Sequence, residues 1–105
     1  MAREKFKTLT EQMYYVLLSL QQERCGTDVL DWVEVVTAGR VSVGSGTLYH
    51  LLEEFAREGF IQETRVEGRK RSYRITEKGR EMLAREYRRL NAQAEDYRRF
   101  QRQEG

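Results

Sequence analysis

The chain has 105 residues, 34% charged and 39% hydrophobic, which is enough for one hydrophobic core and too polar for a membrane span. Its net charge is +2, and a single cysteine (Cys25) with a single histidine (His50) excludes an intramolecular disulfide, a Cys/His zinc site and a paired cysteine nucleophile, so neither an enzyme nor a cofactor is expected. The opening Met1-Ala2-Arg3-Glu4-Lys5-Phe6-Lys7 leads into Thr8, Thr10, Glu11 and Gln12 without the apolar stretch of a secretory signal, which predicts a cytoplasmic protein.

Thr8 with Glu11 matches a capping box, and Leu9, Met13, Val16, Leu17 and Leu20 recur at helical spacing, predicting a first helix over about Thr10 to Gln22. Tyr14, Tyr15 and Leu18 lie off that stripe and call for a second packing partner, which in so small a chain is another subunit. Thr27 is placed to cap a second helix carrying Val29, Leu30, Trp32, Val33 and Val36, with Gly39 ending it and Trp32 as a core anchor. Arg40-Val41-Ser42-Val43 reads as a short extended piece. Ser45 then caps a third helix whose buried stripe is Leu48, Leu51, Leu52 and Phe55.

Two β-compatible runs flank Gly68, and pairing Ile61 with Ile75 leaves Glu67-Gly68-Arg69 as a three-residue hairpin tip. Thr76 caps a last helix from about Glu77 to Phe100, roughly 36 Å long and therefore longer than a small domain of ~30 Å. Along it Leu83, Tyr87, Leu90, Ala94 and Tyr97 alternate four and three residues apart, a coiled-coil seam for a partner helix. The expected architecture is mainly α with a small β-hairpin, an α+β winged helix-turn-helix over residues 1–76 and a dimerisation helix with its tail over residues 77–105.

Charge is concentrated on the hairpin. Arg65 to Arg80 carries Arg65, Arg69, Lys70, Arg71, Arg74, Lys78 and Arg80 against Glu67 and Glu77, a local +5 that leaves −3 for everything else. Such a cluster suits a polyanion. With its buried stripe subtracted, the third helix turns Gly46, His50, Glu53 and Arg57 outward, flanked by Thr47 and Tyr49. Glu53 and Glu54 would repel phosphate, so the N-terminal half is the part fit to enter a major groove. Ser45, Thr47, Tyr49, His50, Arg69, Lys70 and Arg71 are accordingly the candidate DNA-binding residues.

Leu9-Thr10-Glu11-Gln12-Met13-Tyr14-Tyr15-Val16-Leu17, Gly44-Ser45-Gly46-Thr47-Leu48-Tyr49, Glu58-Gly59-Phe60-Ile61 and Tyr73-Arg74-Ile75-Thr76-Glu77-Lys78-Gly79-Arg80 together resemble the PadR family of bacterial winged-helix transcriptional regulators. The likeness runs from residue 9 to about residue 100, with Cys25-Gly26-Thr27 standing where many members have His-Gly-Tyr and Ser45 where proline is frequent. It implies a homodimeric repressor of an inverted-repeat operator in double-stranded DNA, with the last helix forming the dimer. Tyr14, Tyr15 and Tyr87, with Trp32 near them, fall on or beside that seam, where the rings either fill the interface or line a site for a small aromatic effector of the kind that some members of the resembled family bind between subunits. A rival reading is a winged helix that binds an acidic protein through its basic hairpin; steep salt dependence and preference for an operator over random DNA separate the two.

Overall fold

The computed structural model describes residues 7–104, so the opening hexapeptide and Gly105, the outer ends of the two expected segments, lie outside the described residues. The order is α1 (Glu11–Ser19), β1 (Arg24–Cys25), α2 (Gly26–Val36), α3 (Ser45–Arg57), β2 (Ile61–Glu67), β3 (Lys70–Ile75) and α4 (Glu77–Glu104). The antiparallel sheet runs β1-β3-β2. This is the expected winged helix-turn-helix with a long last helix, and none of its described helices is long and apolar enough to cross a membrane.

The core gathers one stripe from each helix. Val16, Leu17 and Leu20 meet Val29 and Val33 of α2, Leu48, Leu52 and Phe55 of α3, Ile61 and Ile75 at the sheet root, and Met82 and Leu83 of α4. Each such leucine or phenylalanine stabilises the fold by roughly 1.5–3 kcal/mol through burial. Leu83, read from spacing as the first seam position, is thus a residue of the chain's own core.

Several boundaries move for local reasons. The first cap is Thr10, not Thr8: its hydroxyl accepts the Met13 N–H at 3.2 Å, because Leu9 is buried and its amide is drawn to the Glu86 carboxylate at 2.7 Å. α1 stops at Ser19, short of Gln22, where the Leu20 carbonyl turns to accept the Ile75 N–H at 2.7 Å. α2 begins at Gly26 with Cys25, not Thr27, in the cap position, since Arg24 and Cys25 pair with Tyr73 and Ser72 as β1, a strand the sequence did not announce. It ends at Val36, before Gly39; the Thr37 hydroxyl donates to the Val33 carbonyl at 2.7 Å and accepts the Val41 N–H at 3.1 Å. Residues 40–43 form no strand. Val41 and Val43 are buried in a loop that the Gln12 amide holds by donating to the Ser42 carbonyl at 3.0 Å. Trp32 is half-buried at the surface of α2, with the Arg24 guanidinium 5.3 Å from its ring centre.

Ser45 does not cap α3. Gly44 is the cap residue, and Ser45 is an exposed first helical residue. Glu54 is not the exposed repellent acid expected beside Glu53: it is buried and paired with Arg57 one turn on. In the hairpin Ile61 does face Ile75, but a bulge between Glu63 and Arg65 adds a residue to β2, so Glu67 pairs with Lys70 and the tip shrinks to Gly68-Arg69. Gly68 at φ +64° supplies the left-handed conformation at the first central position of that two-residue turn.

α4 starts as expected and runs on to Glu104. The Thr76 hydroxyl accepts the Gly79 N–H at 3.1 Å and donates to the Gly59 carbonyl at 2.6 Å, fastening the helix start to the end of α3. Gly79 itself is pressed on the sheet root: a Cβ there would lie 2.2 Å from the Phe60 carbonyl oxygen and 2.6 Å from Ile75 Cγ1. One turn past Leu83, the buried Glu86 accepts the Leu9 N–H and two hydrogen bonds from Arg89, at 3.0 and 2.8 Å. Those bonds, Arg89's above all, hold its carboxyl below the usual range against the opposing effect of burial. At 28 residues α4 is about 42 Å long. The radius of gyration of 15.7 Å exceeds the ~13 Å of a compact chain this size because the far end of α4 overhangs.

Candidate nucleic-acid interface

The first two turns of α3 present Ser45, Gly46, Thr47, Tyr49 and His50 to solvent, as helical spacing predicts once Leu48, Leu51 and Leu52 point inward. Beside them the hairpin stands as a wing. Between the two lies an open cleft of about 470 Å³ lined by Cys25, Gly26, Thr27, Tyr49, Arg69, Lys70, Arg71 and Tyr73. Four of the seven predicted DNA-binding residues, Tyr49, Arg69, Lys70 and Arg71, line it, and the other three, Ser45, Thr47 and His50, are exposed on the first turns of α3.

The walls are braced. A Cβ at Gly26 would come within 3.0–3.3 Å of the Tyr49 ring, so a side chain at the start of α2 would make the phenol shift by a few tenths of an ångström, and Tyr49 packs across the helix-turn-helix as well as facing solvent. Arg71 reaches the Glu63 carboxylate at 3.3 Å and hydrogen-bonds Tyr73, whose hydroxyl titrates above its ordinary value chiefly through burial and then through the charge of Glu63. Arg71 is therefore a partly neutralised strut at the wing root. Arg69 and Lys70, exposed at the tip, have no carboxylate in ion-pair range among the described residues. The unpaired positive charge of the cleft is theirs.

The predicted subunit-facing residues divide into separate groups. Tyr14 and Tyr15 pack edge to face at 5.7 Å and, with Leu9, Thr10, Glu11 and Leu90, line a hollow of about 230 Å³. Burial, then the neighbouring Tyr15, Tyr87 and Glu86, raise the Tyr14 hydroxyl above its ordinary value. Tyr87, Leu90, Ala94 and Tyr97 lie exposed along α4. Leu18 and Trp32 instead line another hollow with Gln21, Gln22 and Arg24, so within the chain the ring of Trp32 is not brought to the tyrosines.

A family model described as the transcriptional regulator PadR-like family matches residues 15–85. The chain belongs to the PadR-like family. That match spans α1 to the first turns of α4, every element that builds the cleft. Among solved structures, a transcriptional regulator from Clostridium thermocellum superposes with a TM-score of 0.73 at 17% identity, over 86% of this chain and 91% of that one. H. salinarum RosR gives 0.69 at 19% identity, over 83% and 78%. Bacillus subtilis PadR, solved in complex with operator DNA, gives 0.62 at 24% identity over 70% of this chain and 45% of its own. No curated protein matches.

Reasoning from spacing missed the α2 side of this PadR-like cleft. Thr27 and Tyr73 line it because β1 pins the start of α2 against β3, and two residues are too few to show alternation. The one usable signal was Gly26, a small residue at a helix start where a ring must pass.

Proposed function

We propose that this PadR-like chain is a cytoplasmic homodimeric repressor that binds an inverted repeat in double-stranded DNA, using residues 1–76 for DNA and α4 beyond its core-packed turns for the dimer. The observation that carries the reading is the cleft between the N-terminal half of α3 and the wing, where Arg69 and Lys70 stand without acidic partners among the described residues. Thr47 and His50 are exposed where a major groove would meet the helix, and they read bases. Glu53 exposed on the next turn keeps phosphate from the helix's second half. The two tip cations hold backbone phosphate, and Arg71 holds the wing.

Selection of bound sequences from random DNA by the purified protein tests this directly. Recovery of a two-fold symmetric motif with half-sites about one turn, ~34 Å, apart is the expected result; recovery of no motif, with binding only to acidic protein, overturns it. Arg69→Ala and Lys70→Ala should each weaken operator and random DNA alike and flatten the dependence of log K on log salt by roughly one unit per lost phosphate contact. Arg71→Ala should flatten it less, because its charge is already shared with Glu63. Slopes measured by fluorescence anisotropy across a salt series decide; an unchanged slope in Arg69→Ala and Lys70→Ala removes the wing tip from DNA.

A further inference from the structure

The loop that carries the chain from α2 into α3 presents one cation on the side of α3 away from the wing. Of residues 37–44 only Arg40 is charged. α2 starts in the cleft wall at Gly26 and ends eleven residues on at Val36, about 16 Å away, so the loop stands on the far side of the start of α3 from the wing. Tyr15, the polar partner of Arg40, also lines the hollow with Leu90, so this flank is the one nearer the proposed dimer seam.

The loop holds that side chain outward. Ala38 at φ +52° and Gly39 at φ +75° are consecutive left-handed residues, a conformation that alanine rarely takes, and they reverse the chain at the end of α2. The Arg40 N–H then donates to the Thr37 carbonyl at 3.0 Å and the Val41 N–H to the Thr37 hydroxyl at 3.1 Å, with Val41 and Val43 buried on either side of the exposed Ser42. The backbone at Arg40 is thus fixed to the core while the side chain stays in solvent. There the guanidinium donates to the Tyr15 hydroxyl. Glu11 and Glu34, acids of the two neighbouring helices, form no ion pair with it among the described residues.

A helix seated in a major groove has a row of phosphates on each side, across a groove about 12 Å wide. The wing tip offers Arg69 and Lys70 to one row. An exposed guanidinium on the other flank suits the second, because its planar fork bonds phosphate through two parallel N–H groups, and a side chain already held in place loses less freedom on binding. We propose that Arg40 is a second backbone anchor of the DNA interface, holding a phosphate on the flank of α3 opposite the wing, with the Tyr15 hydroxyl as the group that positions it. The anchor rests on the DNA-binding reading above and extends its contacts beyond the basic segment Arg65 to Arg80.

Binding to a short fluorescein-labelled duplex of random sequence, followed by anisotropy across a salt series, counts phosphate contacts whatever the operator is. Variants are compared at a concentration where sedimentation shows them in the wild-type oligomeric state. Arg40 is exposed, so Arg40→Ala leaves the chain folded, as circular dichroism will verify. Arg40→Ala should flatten the dependence of log K on log salt by about one unit, and Arg40→Lys should keep it because the charge is retained. Arg40→Ala with Arg69→Ala should flatten it by about two, as for two separate phosphates. Tyr15→Phe should leave the slope and weaken binding about threefold, and should cost nothing further in the Arg40→Ala background. An unchanged slope in Arg40→Ala beside a flattened one in Arg69→Ala overturns the anchor and leaves the DNA reading standing. An equal cost of Tyr15→Phe in both backgrounds overturns the positioning role of Tyr15. A wild-type chain whose hold on the duplex is indifferent to salt overturns the DNA reading, and the anchor with it.

Discussion

Gly79→Ala is expected to cost the chain more stability than any other single methyl group added to it. The new Cβ would stand 2.2 Å from the Phe60 carbonyl oxygen and 2.6 Å from Ile75 Cγ1, distances at which atoms overlap. A flexible side chain could swing aside, but here the nearest atom is backbone, and Phe60 is held by its own amide on the Phe55 carbonyl at 2.9 Å. Relief therefore requires α4 to lift from the sheet root, which opens the core where Ile75, Phe60 and Met82 meet. Overpacking at adaptable sites costs typically 1–3 kcal/mol, so a site that must move a helix should lose at least about 3 kcal/mol. At roughly 4–8 °C per kcal/mol this lowers the unfolding midpoint by about 12 °C or more. Thermal unfolding followed by circular dichroism at fixed protein concentration measures it. A midpoint within about 4 °C of wild type would falsify the packing described for α4.

The second large effect is at Glu86, where one carboxylate joins the segment before α1 to α4. Glu86→Gln keeps the shape and removes the charge from the Leu9 and Arg89 hydrogen bonds. Bonds to a charged group contribute about 1.5–3 kcal/mol each, part of which the amide retains, so a net loss of about 2 kcal/mol at pH 7 is expected. The pH dependence has a definite sign. The folded-state pKa of Glu86 is lowered, chiefly by Arg89, so its contribution is complete above the unfolded glutamate value of about 4.3. It is lost as pH falls from there through the folded value. Urea unfolding of wild type and Glu86→Gln from pH 7 downward should show the gap between them closing in acid. A gap that stays constant to the lowest pH at which both fold would remove the carboxylate as its source.

Much of this architecture is legible in the amino-acid sequence, and the rest is hidden there for identifiable physical reasons. The stripes of α1 and α3, the pairing of Ile61 with Ile75 and the cap at Thr76 are local patterns, visible within one element and its neighbour. β1 was invisible because a two-residue strand has no period, and its partner Ser72 lies 47 positions away. Glu54 was misread because its charge suggested solvent. It sits within about 60° of Leu51 around the helix, at the edge of the buried stripe, where Arg57 can reach it. The exposed arc of Thr47 and His50 needed only helical periodicity. The tethering of Arg71 depends on sheet register: Glu63 faces Tyr73, which places Arg71 diagonally across from it on the same face. Leu83 fitted a seam and a core equally well by spacing, and only the packing of α4 on the sheet root chose the core.

The pairing of β1 with β3 also has an entropic consequence. Arg24 and Cys25 on one side and Glu63 and Arg65 on the other leave Ser72 and Tyr73 flanked within the sheet, so the root of the wing is ordered as part of folding. Confining a residue's backbone costs roughly 1–2 kcal/mol, so for Ser72 and Tyr73 of the wing about 2–4 kcal/mol is met when the chain folds, not when it meets a ligand. At 1.4 kcal/mol per tenfold change, a wing left unordered at these two residues would give up about one to three orders of magnitude in affinity to that ordering. The two residues that anchor the wing to α2 thus act on affinity from a distance, by reducing what remains to be ordered to the tip around Gly68 and Arg69.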